Sequence, residues 1–321
     1  MTTLVSVADS AGRDSGGGLG AASSARWCCE QLEQGNILFF PQAPFELPEE
    51  DRTFLLAQRQ SGAAYHKNIS YRPNRDRLTG AAGQHRREQE RLRAIMKTYS
   101  EKAIRLLAGL LEPYAAAWRV DFASFRPEEE RGRRLRLHAR NDLLHIDSFS
   151  TRPTNGDRIL RVFTNINPAQ SRVWLTTETF EGLIRRYLGP AGPAELRSSA
   201  AGPAGWNGFG QSFRRLARAL RLPVTDPSPY DRFMLRFHHY LKEDHEFQDT
   251  CAKKQWEFPP KSTWIVFTDM VAHAVVSGQY ALEQTLIVPR RALVLPDKAP
   301  ASILERVVGR PMTSLSATGR V

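Results

Sequence analysis

Residues 143–149 (LLHIDSF) contain the only histidine of the chain that is followed two positions later by a carboxylate. On a strand, residues i and i+2 project from the same face, so His145 and Asp147 would point the same way. A histidine and a carboxylate placed together are two of the three ligands of the facial triad that binds Fe(II), which leaves positions open for dioxygen and a bidentate co-substrate. The same pair could be a hydrogen-bonded couple without metal, and the triplet alone does not decide between them.

A third ligand would have to come from a distant strand. His273 is the best candidate, because it lies 128 positions beyond His145 in the strand-like sequence DMVAHAVVSGQY. His238, His239 and His245 are competitors, although HHYLKEDHEF is more polar and precedes a loop.

Several other chemistries lack their motifs. The chain has no H-E-x-x-H, and its three cysteines lack zinc-finger spacing. It also has neither a G-x-x-x-x-G-K-[ST] loop for phosphates nor a G-x-S-x-G nucleophile elbow. The histidine and carboxylate pair therefore carries the metal hypothesis alone.

The predicted secondary structure changes along the chain, from helices before this pair to mainly strands around and after it. Apolar residues at three- and four-residue spacing, from Leu92 to Leu110, predict a helix over residues 84–111. Alternating and β-branched residues predict strands; these are residues 134–147, 158–167, 230–240, 263–268, 273–277 and 280–288. Residues 189–206 are predicted to be a loop, 212–222 a short helix, and SILERVVG a terminal helix. Helices early and short strands later favour an α+β protein, or a β-barrel or sandwich supported by helices.

The predicted organisation is one domain between two tails. Residues 1–24 are rich in Gly, Ser and Ala and are predicted to be a disordered tail, and residues 309–321 a flexible one. The domain then spans residues 25–308, with a helical part over about 25–130 and a strand-rich part over about 131–296.

Bulk properties restrict the setting of the protein. The 321 residues carry a formal net charge of +11, which attracts nucleic acid, anionic lipid or anionic substrates, or serves solubility alone. Three cysteines cannot form a disulfide framework, and no apolar run approaches the roughly 20 residues that cross a bilayer. No secretory signal is evident, so a cytoplasmic location is expected.

Four stretches together resemble the Kdo hydroxylases. The two long ones are LLHIDSFSTRPTNGDRILRVFTNINP (143–168) and FPPKSTWIVFTDMVAHAVVSGQYALEQT (258–285), and the shorter ones are KNISYRP (67–73) and HHYLKEDHEFQ (238–248). The resemblance runs from about residue 36 to residue 296. These enzymes are Fe(II)- and 2-oxoglutarate-dependent dioxygenases that hydroxylate carbon 3 of the sugar acid Kdo in bacterial lipopolysaccharide.

The resemblance implies a fold, a metal site and a substrate. The fold would be a double-stranded β-helix, a jelly-roll or cupin-like core supported by N-terminal and peripheral helices. His145, Asp147 and His273 would bind Fe(II), with 2-oxoglutarate and O2 as co-substrates. The substrate would be Kdo2-lipid A or a related anionic glycolipid, with peripheral contact to the cytoplasmic face of an anionic membrane. No nucleic acid is expected.

The distal carboxylate of 2-oxoglutarate requires a buried cation, ideally an arginine. Many members of the wider superfamily carry it about ten residues after the second histidine, but no basic residue follows His273 before Arg290. Arg161, which shares a strand face with apolar neighbours, is therefore the first candidate, with Gln284 and Arg290 in reserve. A salt bridge from Arg161 to a structural carboxylate is the alternative.

Candidates for substrate binding are basic and aromatic residues near the H-x-D segment. They are Lys67, Tyr71, Arg72, Arg75, Arg152 and Arg158. Each alone could be a surface cation or a packing residue. Two other functions compete with the hydroxylase: a JmjC-like oxygenase acting on protein or nucleic acid, and a jelly-roll module that binds anionic glycan without catalysis.

Overall fold

The computed structural model describes residues 2–7, 21–62, 68–83, 85–190, 192–201 and 227–314. Eleven strands lie within these residues: β1 (Leu4–Ser6), β2 (Ile37–Phe40), β3 (Ile69–Arg72), β4 (Arg77–Thr79), β5 (Arg119–Arg126), β6 (Arg158–Asn165), β7 (Arg172–Thr179), β8 (Lys254–Phe258), β9 (Thr263–Phe267), β10 (Val271–Ser277) and β11 (Ala281–Val288). Nine α-helices lie there too: α1 (Ala21–Glu33), α2 (Glu49–Leu56), α3 (Arg86–Leu110), α4 (Glu112–Ala115), α5 (Phe180–Leu188), α6 (Ala194–Ala201), α7 (Pro229–Glu243), α8 (His245–Thr250) and α9 (Pro300–Val308). None of these helices is both long and apolar enough to span a bilayer.

The larger of two sheets forms the body of the protein. Its strands follow the order β1-β2-β9-β6-β11-β5-β3-β4, with antiparallel pairing at every neighbour except the parallel β1 and β2. Every residue of β9 and β11 is buried, including the three consecutive polar residues Glu283, Gln284 and Thr285 of β11. Charged residues in these central strands are therefore covered on both faces and need partners.

The second sheet packs on the first through an aromatic cluster. It has the order β10-β7-β8, all antiparallel. Trp174 of β7 lies 4.9 Å from Phe163 and 5.7 Å from Trp264, measured between ring centroids, and both partners belong to the larger sheet. Its ring also stacks on His273 at 5.2 Å, so the packing of this interface helps to place that histidine.

Helix α3 covers the opposite face of the larger sheet. Its bounds confirm the predicted helix over residues 84–111, and residues Leu92, Ile95, Tyr99, Ala103 and Leu107 of its apolar side are buried. Ser100 donates a hydrogen bond to Gln284 of β11 at 2.7 Å. Gln284 thus faces the helix, which places its strand neighbours Glu283 and Thr285 on the other face.

The segment predicted as a strand over residues 230–240 is helix α7. Ser228 and Asp231 form a reciprocal capping box, and Pro229 occupies the first turn. Buried residues recur along the helix at three- and four-residue spacing from Tyr230 to Leu241. The start signals were therefore present in the sequence, and the aromatic content of the segment caused the wrong prediction.

Two further local predictions differ from the structure. Residues 134–147 are not a continuous strand: they contain a short 3-10 helix at Leu137–Ala139 and one isolated bridge between His145 and His273. The predicted loop over residues 189–206 contains helix α6. The predicted helix over residues 212–222 lies outside the described residues. Strands β6, β9, β10 and β11 and terminal helix α9 agree with the predictions.

The predicted division of the chain also needs correction. Strands β2, β3 and β5, from the part predicted to be helical, are integral to the larger sheet. Leu4–Ser6 pairs with β2 and helix α1 begins at Ala21, so the predicted N-terminal tail is wrong at both places. At the other end Met312 is buried and its carbonyl accepts a hydrogen bond from the Tyr230 amide at 2.8 Å, so the segment predicted as a flexible tail is anchored at this residue. Residues 8–20 and 315–321 lie outside the described residues.

Candidate metal centre

Three side chains converge at one end of the interface between the two sheets. His145, Asp147 and His273 each offer a ligand atom, and these atoms lie within 4.8 Å of one another. The bridge between the histidines sets this arrangement: the His145 amide donates to the His273 carbonyl at 3.0 Å, and the reverse bond is 2.9 Å. The Asp147 amide donates to the Thr268 carbonyl at 2.9 Å, which continues the pairing. The three residues chosen from the sequence are thus brought together.

Both histidines are oriented by their own backbone. The Nδ1 atom of His145 lies 2.7 Å from the Leu143 carbonyl, and that of His273 lies 2.9 Å from the Val271 carbonyl. Because a carbonyl can only accept, Nδ1 carries the proton in each ring and the Nε2 lone pair is free for a metal ion. Burial lowers the pKa of His145 to about 3 and lowers that of His273 as well, so both rings are neutral at pH 7.

Asp147 supplies the negative charge of the site. Burial raises its pKa, but Arg161 and the two histidines outweigh that effect and hold the pKa well below the usual range. Its Oδ2 atom is buried without a hydrogen bond, although it lies 3.0 Å from Nη2 of Arg161 as an ion pair. An ionised carboxylate and two neutral imidazoles match the donor set of the Fe(II) facial triad, so the residues fit this metal.

A network of charges extends from Asp147 along the sheet. Nη1 of Arg161 donates to Oε1 of Glu283 at 2.8 Å, and Nε of Arg126 donates to Oε2 at 3.0 Å. Burial raises the pKa of Glu283, but the two guanidinium groups outweigh it and the net shift is downward. One buried carboxylate is thus held ionised between two arginines, and one of them contacts the metal-ligating aspartate.

A cavity of about 360 Å³ lies over these groups. This volume suits a small molecule. Its lining contains four cationic side chains and two carboxylates besides serine, asparagine and histidine side chains; the charged ones are Arg126, Arg152, Arg161, Lys242, Asp147 and Glu283. The cationic side chains outnumber the carboxylates, and the lining includes His145 and Asp147, so the cavity favours an anionic ligand beside the metal-ligating residues.

The three residues predicted to bind 2-oxoglutarate lie in different places. Arg161 lines the cavity, but it already makes the salt bridges to Asp147 and Glu283. Gln284 faces helix α3, and Arg290 pairs with Glu305 of α9 at 2.7 Å. Neither Gln284 nor Arg290 lines the cavity, so the structure does not bring these two reserve candidates to the metal-ligating residues. The sequence of β11 did not show which of its residues face the cavity and which face helix α3, because residues on both faces of the strand are buried.

The predicted substrate residues are also separated. Arg152 lines the cavity. Arg158 is fully buried in a pair with Asp269, with Nε 2.9 Å from Oδ2, and its guanidinium stacks on Phe267, so it is a structural residue.

The four predicted substrate residues on and around strand β3 lie in different surroundings. The Tyr71 side chain is buried and its hydroxyl donates to Asp76 at 2.9 Å, away from the cavity lining. Arg75 is exposed in the turn that follows β3 and does not line the cavity either. Arg72 does not line the cavity itself, but it is on the same face of β3 as Ser70, which does, as does Asn68 just before the strand. Lys67 lies outside the described residues.

The cavity also holds residues that the sequence did not place there. Nδ1 of His238 on α7, one of the three competitors for the third ligand, donates to the Ile146 carbonyl at 2.7 Å, and its ring lies 5.0 Å from that of His145. Arg126 and Glu283 were missed in the sequence altogether. Each is a charged residue next to buried apolar residues of its strand, and a buried charge needs a partner. His239 lines the outer part of the cavity, and His245 is exposed on α8.

Comparisons with known proteins agree with the geometry. Residues 19–311 match the profile of the 3-deoxy-D-manno-oct-2-ulosonic acid (Kdo) hydroxylase family. The chain resembles the crystal structure of the Kdo hydroxylase KdoO, a non-heme Fe(II) alphaketoglutarate-dependent dioxygenase, in complex with alphaketoglutarate and Fe(III): 34% identity over 94% of this chain and 95% of that one, TM-score 0.77. The cobalt(II) complex and the apo structure of KdoO match with the same identity and TM-scores of 0.78 and 0.77, each over 94% of this chain and 95% of that one. No curated protein matches the chain.

Proposed function

The chain belongs to the Kdo hydroxylase family and is a non-haem Fe(II)- and 2-oxoglutarate-dependent dioxygenase, and from this we propose that it hydroxylates carbon 3 of a Kdo sugar in Kdo2-lipid A. The observation that carries the proposal is the buried cluster of His145, Asp147 and His273 beneath a cation-lined cavity. Fe(II) held there would provide coordination positions for 2-oxoglutarate and O2 and the oxidising chemistry.

The protein's own residues have distinct roles in this proposal. The Nδ1 hydrogen bonds of His145 and His273 keep both Nε2 lone pairs directed at the metal. Arg161 holds the carboxylate of Asp147 in its orientation and ionised state. The cavity walls limit the access of water to the sugar, which favours oxidation of the bound substrate over side reactions with water.

The packing of the two sheets supports a double-stranded β-helix, that is, a jelly-roll, for the core. In that fold two sheets face each other and a ligand binds between them at one end. The aromatic contacts of Trp174 with Phe163 and Trp264 join the two sheets here, and the three metal-ligating residues lie beside this contact. We propose one domain that extends beyond the predicted residues 25–308 to include Leu4–Ser6 and Met312, because strands from both halves share the larger sheet and β1 pairs within it.

For 2-oxoglutarate we propose Arg161 together with Arg126. Both line the cavity and both are bound to Glu283, so each could shift part of its hydrogen bonding to an entering dianion. Arg161 contacts Asp147 and is the nearer of the two to the metal, whereas Arg126 lies beyond Glu283 and suits the distal carboxylate. Replacing Arg126 with Gln should raise the KM for 2-oxoglutarate more than the KM for the glycolipid.

We also propose contact with an anionic membrane surface on the cytoplasmic side. Arg131, Arg134 and Arg136 are exposed, and within the described part of the chain their side chains have no carboxylate partner. Leu137, which is 42% exposed, follows them and precedes His138 at the edge of the cavity. A basic loop with an apolar tip at the cavity entrance suits binding to anionic lipid.

Vesicle flotation tests the membrane contact. Changing the three loop arginines to Gln should weaken binding to vesicles containing phosphatidylglycerol, by about 1 kcal/mol per charge at low salt. A matched triple on the outer side of helix α3 removes the same charge from the opposite face of the sheet; its residues are Arg87, Lys97 and Arg105. Equal loss in both variants would show that only net charge matters.

The catalytic proposal is tested by combining two measurements. Incubation with Kdo2-lipid A, Fe(II), 2-oxoglutarate and O2 should add one oxygen atom to the glycolipid by mass spectrometry and form succinate. His145→Ala should abolish both. Succinate formation with unmodified glycolipid would refute this substrate and favour an oxygenase for protein or nucleic acid, and binding without any succinate would favour a non-catalytic glycan module.

A further inference from the structure

Arginine and phenylalanine side chains alternate in a row that begins in the cavity lining and ends just beyond it, at Arg72. The guanidinium carbon of Arg152 lies 4.0 Å from the ring centroid of Phe122 and 4.1 Å from that of Phe149. Arg72 lies 4.6 Å from the same Phe122 ring, and Arg161 lies 5.6 Å from the Phe149 ring. These five residues form what we call the cation–aromatic row, which runs from the metal-proximal Arg161 to Arg72 at the edge of β3.

The arginines of the row differ in their carboxylate partners. Arg161 is bound to Asp147 and Glu283, and Arg152 is bound to Asp121. Arg72 has no ion pair or hydrogen bond of its side chain in the described residues, and its Nε is buried without an acceptor. Within the described part of the chain, its guanidinium stacks on the Phe122 ring. The outer end of the row therefore carries an uncompensated positive charge.

Arg72 is not itself among the residues that line the cavity, but it is adjacent to residues that are. It is on the face of β3 that also presents Ser70, and both Ser70 and Asn68, just before the strand, line the cavity together with Phe122, Phe149 and Arg152. Stacking on rings restrains the planes of the guanidinium groups, which reduces the ordering cost when an anion binds at their edges. A planar carboxylate can accept two parallel hydrogen bonds from such a group.

We propose that the cation–aromatic row binds the carboxylate of the sugar acid substrate, with Arg72 as the main ion-pair partner and Arg152 as the second. This inference rests on the proposed function for the identity of the sugar. The cation–aromatic row would then distinguish an acidic sugar from a neutral one, because a neutral sugar would leave the Arg72 charge unpaired. Arg161 stays with Asp147 and Glu283 and does not contact the sugar acid.

The test compares an acid with its amide in two variants. Kdo methyl glycoside and its carboxamide, which has the same shape without the charge, are titrated into the Co(II) and 2-oxoglutarate-loaded protein by calorimetry. Wild type should bind the acid on the order of 10- to 100-fold more tightly than the amide, as expected for charge-assisted hydrogen bonds. Arg72→Gln should lose most of this preference, and what remains should be the smaller contribution of Arg152.

Two controls make the result specific. Arg75→Gln removes an exposed arginine three positions away that does not line the cavity, and it should keep the wild-type preference. Arg72→Lys keeps the charge but loses the planar fork, so it should retain more of the preference than Arg72→Gln does. The midpoint of thermal unfolding and the affinity for 2-oxoglutarate should be unchanged in Arg72→Gln, which separates loss of this contact from misfolding.

The outcomes distinguish this inference from the proposed function. A wild-type preference for the acid that is mostly lost in Arg72→Gln supports the row, even if no hydroxylated product is ever detected. An Arg72→Gln protein that still prefers the acid as wild type does would overturn the role of the row, even if the enzyme hydroxylates Kdo2-lipid A. Equal binding of acid and amide by wild type would overturn it as well.

Discussion

Glu283→Gln is a sensitive test of the network of Asp147, Arg161, Glu283 and Arg126, because the Glu283 carboxylate accepts hydrogen bonds from both buried arginines. Its side chain is 3% exposed. Oε1 accepts from Arg161 at 2.8 Å and from the Thr285 hydroxyl at 2.9 Å, and Oε2 accepts from Arg126 at 3.0 Å. A glutamine has nearly the same shape, but it presents an NH2 group to one of the two arginines and neutralises neither.

The expected cost follows from the burial of the network. Removing one partner of a buried ion pair typically costs about 3–5 kcal/mol, since the remaining charge is left without compensation. For a chain of this size about 1 kcal/mol corresponds to roughly 2 °C in the unfolding midpoint, so we expect a decrease of roughly 6–10 °C at pH 7. The same change leaves Arg126 and Arg161 freer for an anion, so saturating 2-oxoglutarate should raise the midpoint of the variant more than that of wild type.

The effect should depend on pH in a defined direction. Because the arginines lower the pKa of Glu283 in the folded state, its ionised form stabilises the protein above the pKa of the unfolded chain, about 4.3. That contribution is lost as the pH falls through the lower pKa of the folded state. The difference in unfolding free energy between wild type and Glu283→Gln should thus be full at pH 7 and shrink below about pH 4.

Scanning calorimetry and urea denaturation at several pH values would measure this difference. Glu257→Gln is the matched control, because Glu257 is exposed on β8 and the same change there should shift the midpoint by no more than about 1 °C. A midpoint of Glu283→Gln within about 2 °C of wild type at pH 7 would refute the reasoning. It would mean that the two arginines do not depend on this carboxylate.

Three further predictions concern the metal, a turn and a cap. Co(II) at about 100 times its Kd should stabilise wild type by about 2.7 kcal/mol in a thermal shift assay and leave His273→Ala unchanged; an equal shift in both would place the metal elsewhere. Gly278→Ala should lower stability by about 2 kcal/mol, because φ is +121° there and a Cβ would lie 2.8 Å from Arg172 Cα, whereas Gly62→Ala, with open space around it, should be neutral in urea titrations. Asp231→Asn should cost about 1–2 kcal/mol in the same titrations, because this carboxylate caps helix α7 and accepts the Thr154 amide at 2.8 Å, and an unchanged midpoint would contradict that role.

The local patterns of the sequence were sufficient for several elements and for the metal ligands. The spacing from Leu92 to Leu107 predicted helix α3, and alternating and β-branched residues predicted β6, β9, β10 and β11. Helix α7 was mispredicted because its aromatic content was given more weight than the capping box at Ser228 and Asp231. The H-x-D triplet and His273 were identified because ligand chemistry depends on residue type and on short spacing.

Other features depended on packing that no local pattern contains. Arg158 and Arg161 lie three positions apart on one strand, yet one pairs with Asp269 inside the protein and the other lies beside the metal-ligating Asp147. On the buried strand β11 the hydrophobic pattern could not show that Glu283 faces the cavity while Gln284 faces helix α3.

The sequence by itself therefore determined which residue types could bind a metal ion and which segments had helical or strand periodicity. Only the tertiary structure decided which of the candidate residues meet. The physical reason is that periodicity reports the direction of a side chain relative to its own element. The partner of a buried charge, such as Glu283 between Arg126 and Arg161, is set by the sheet order, which joins residues more than 120 positions apart in the chain.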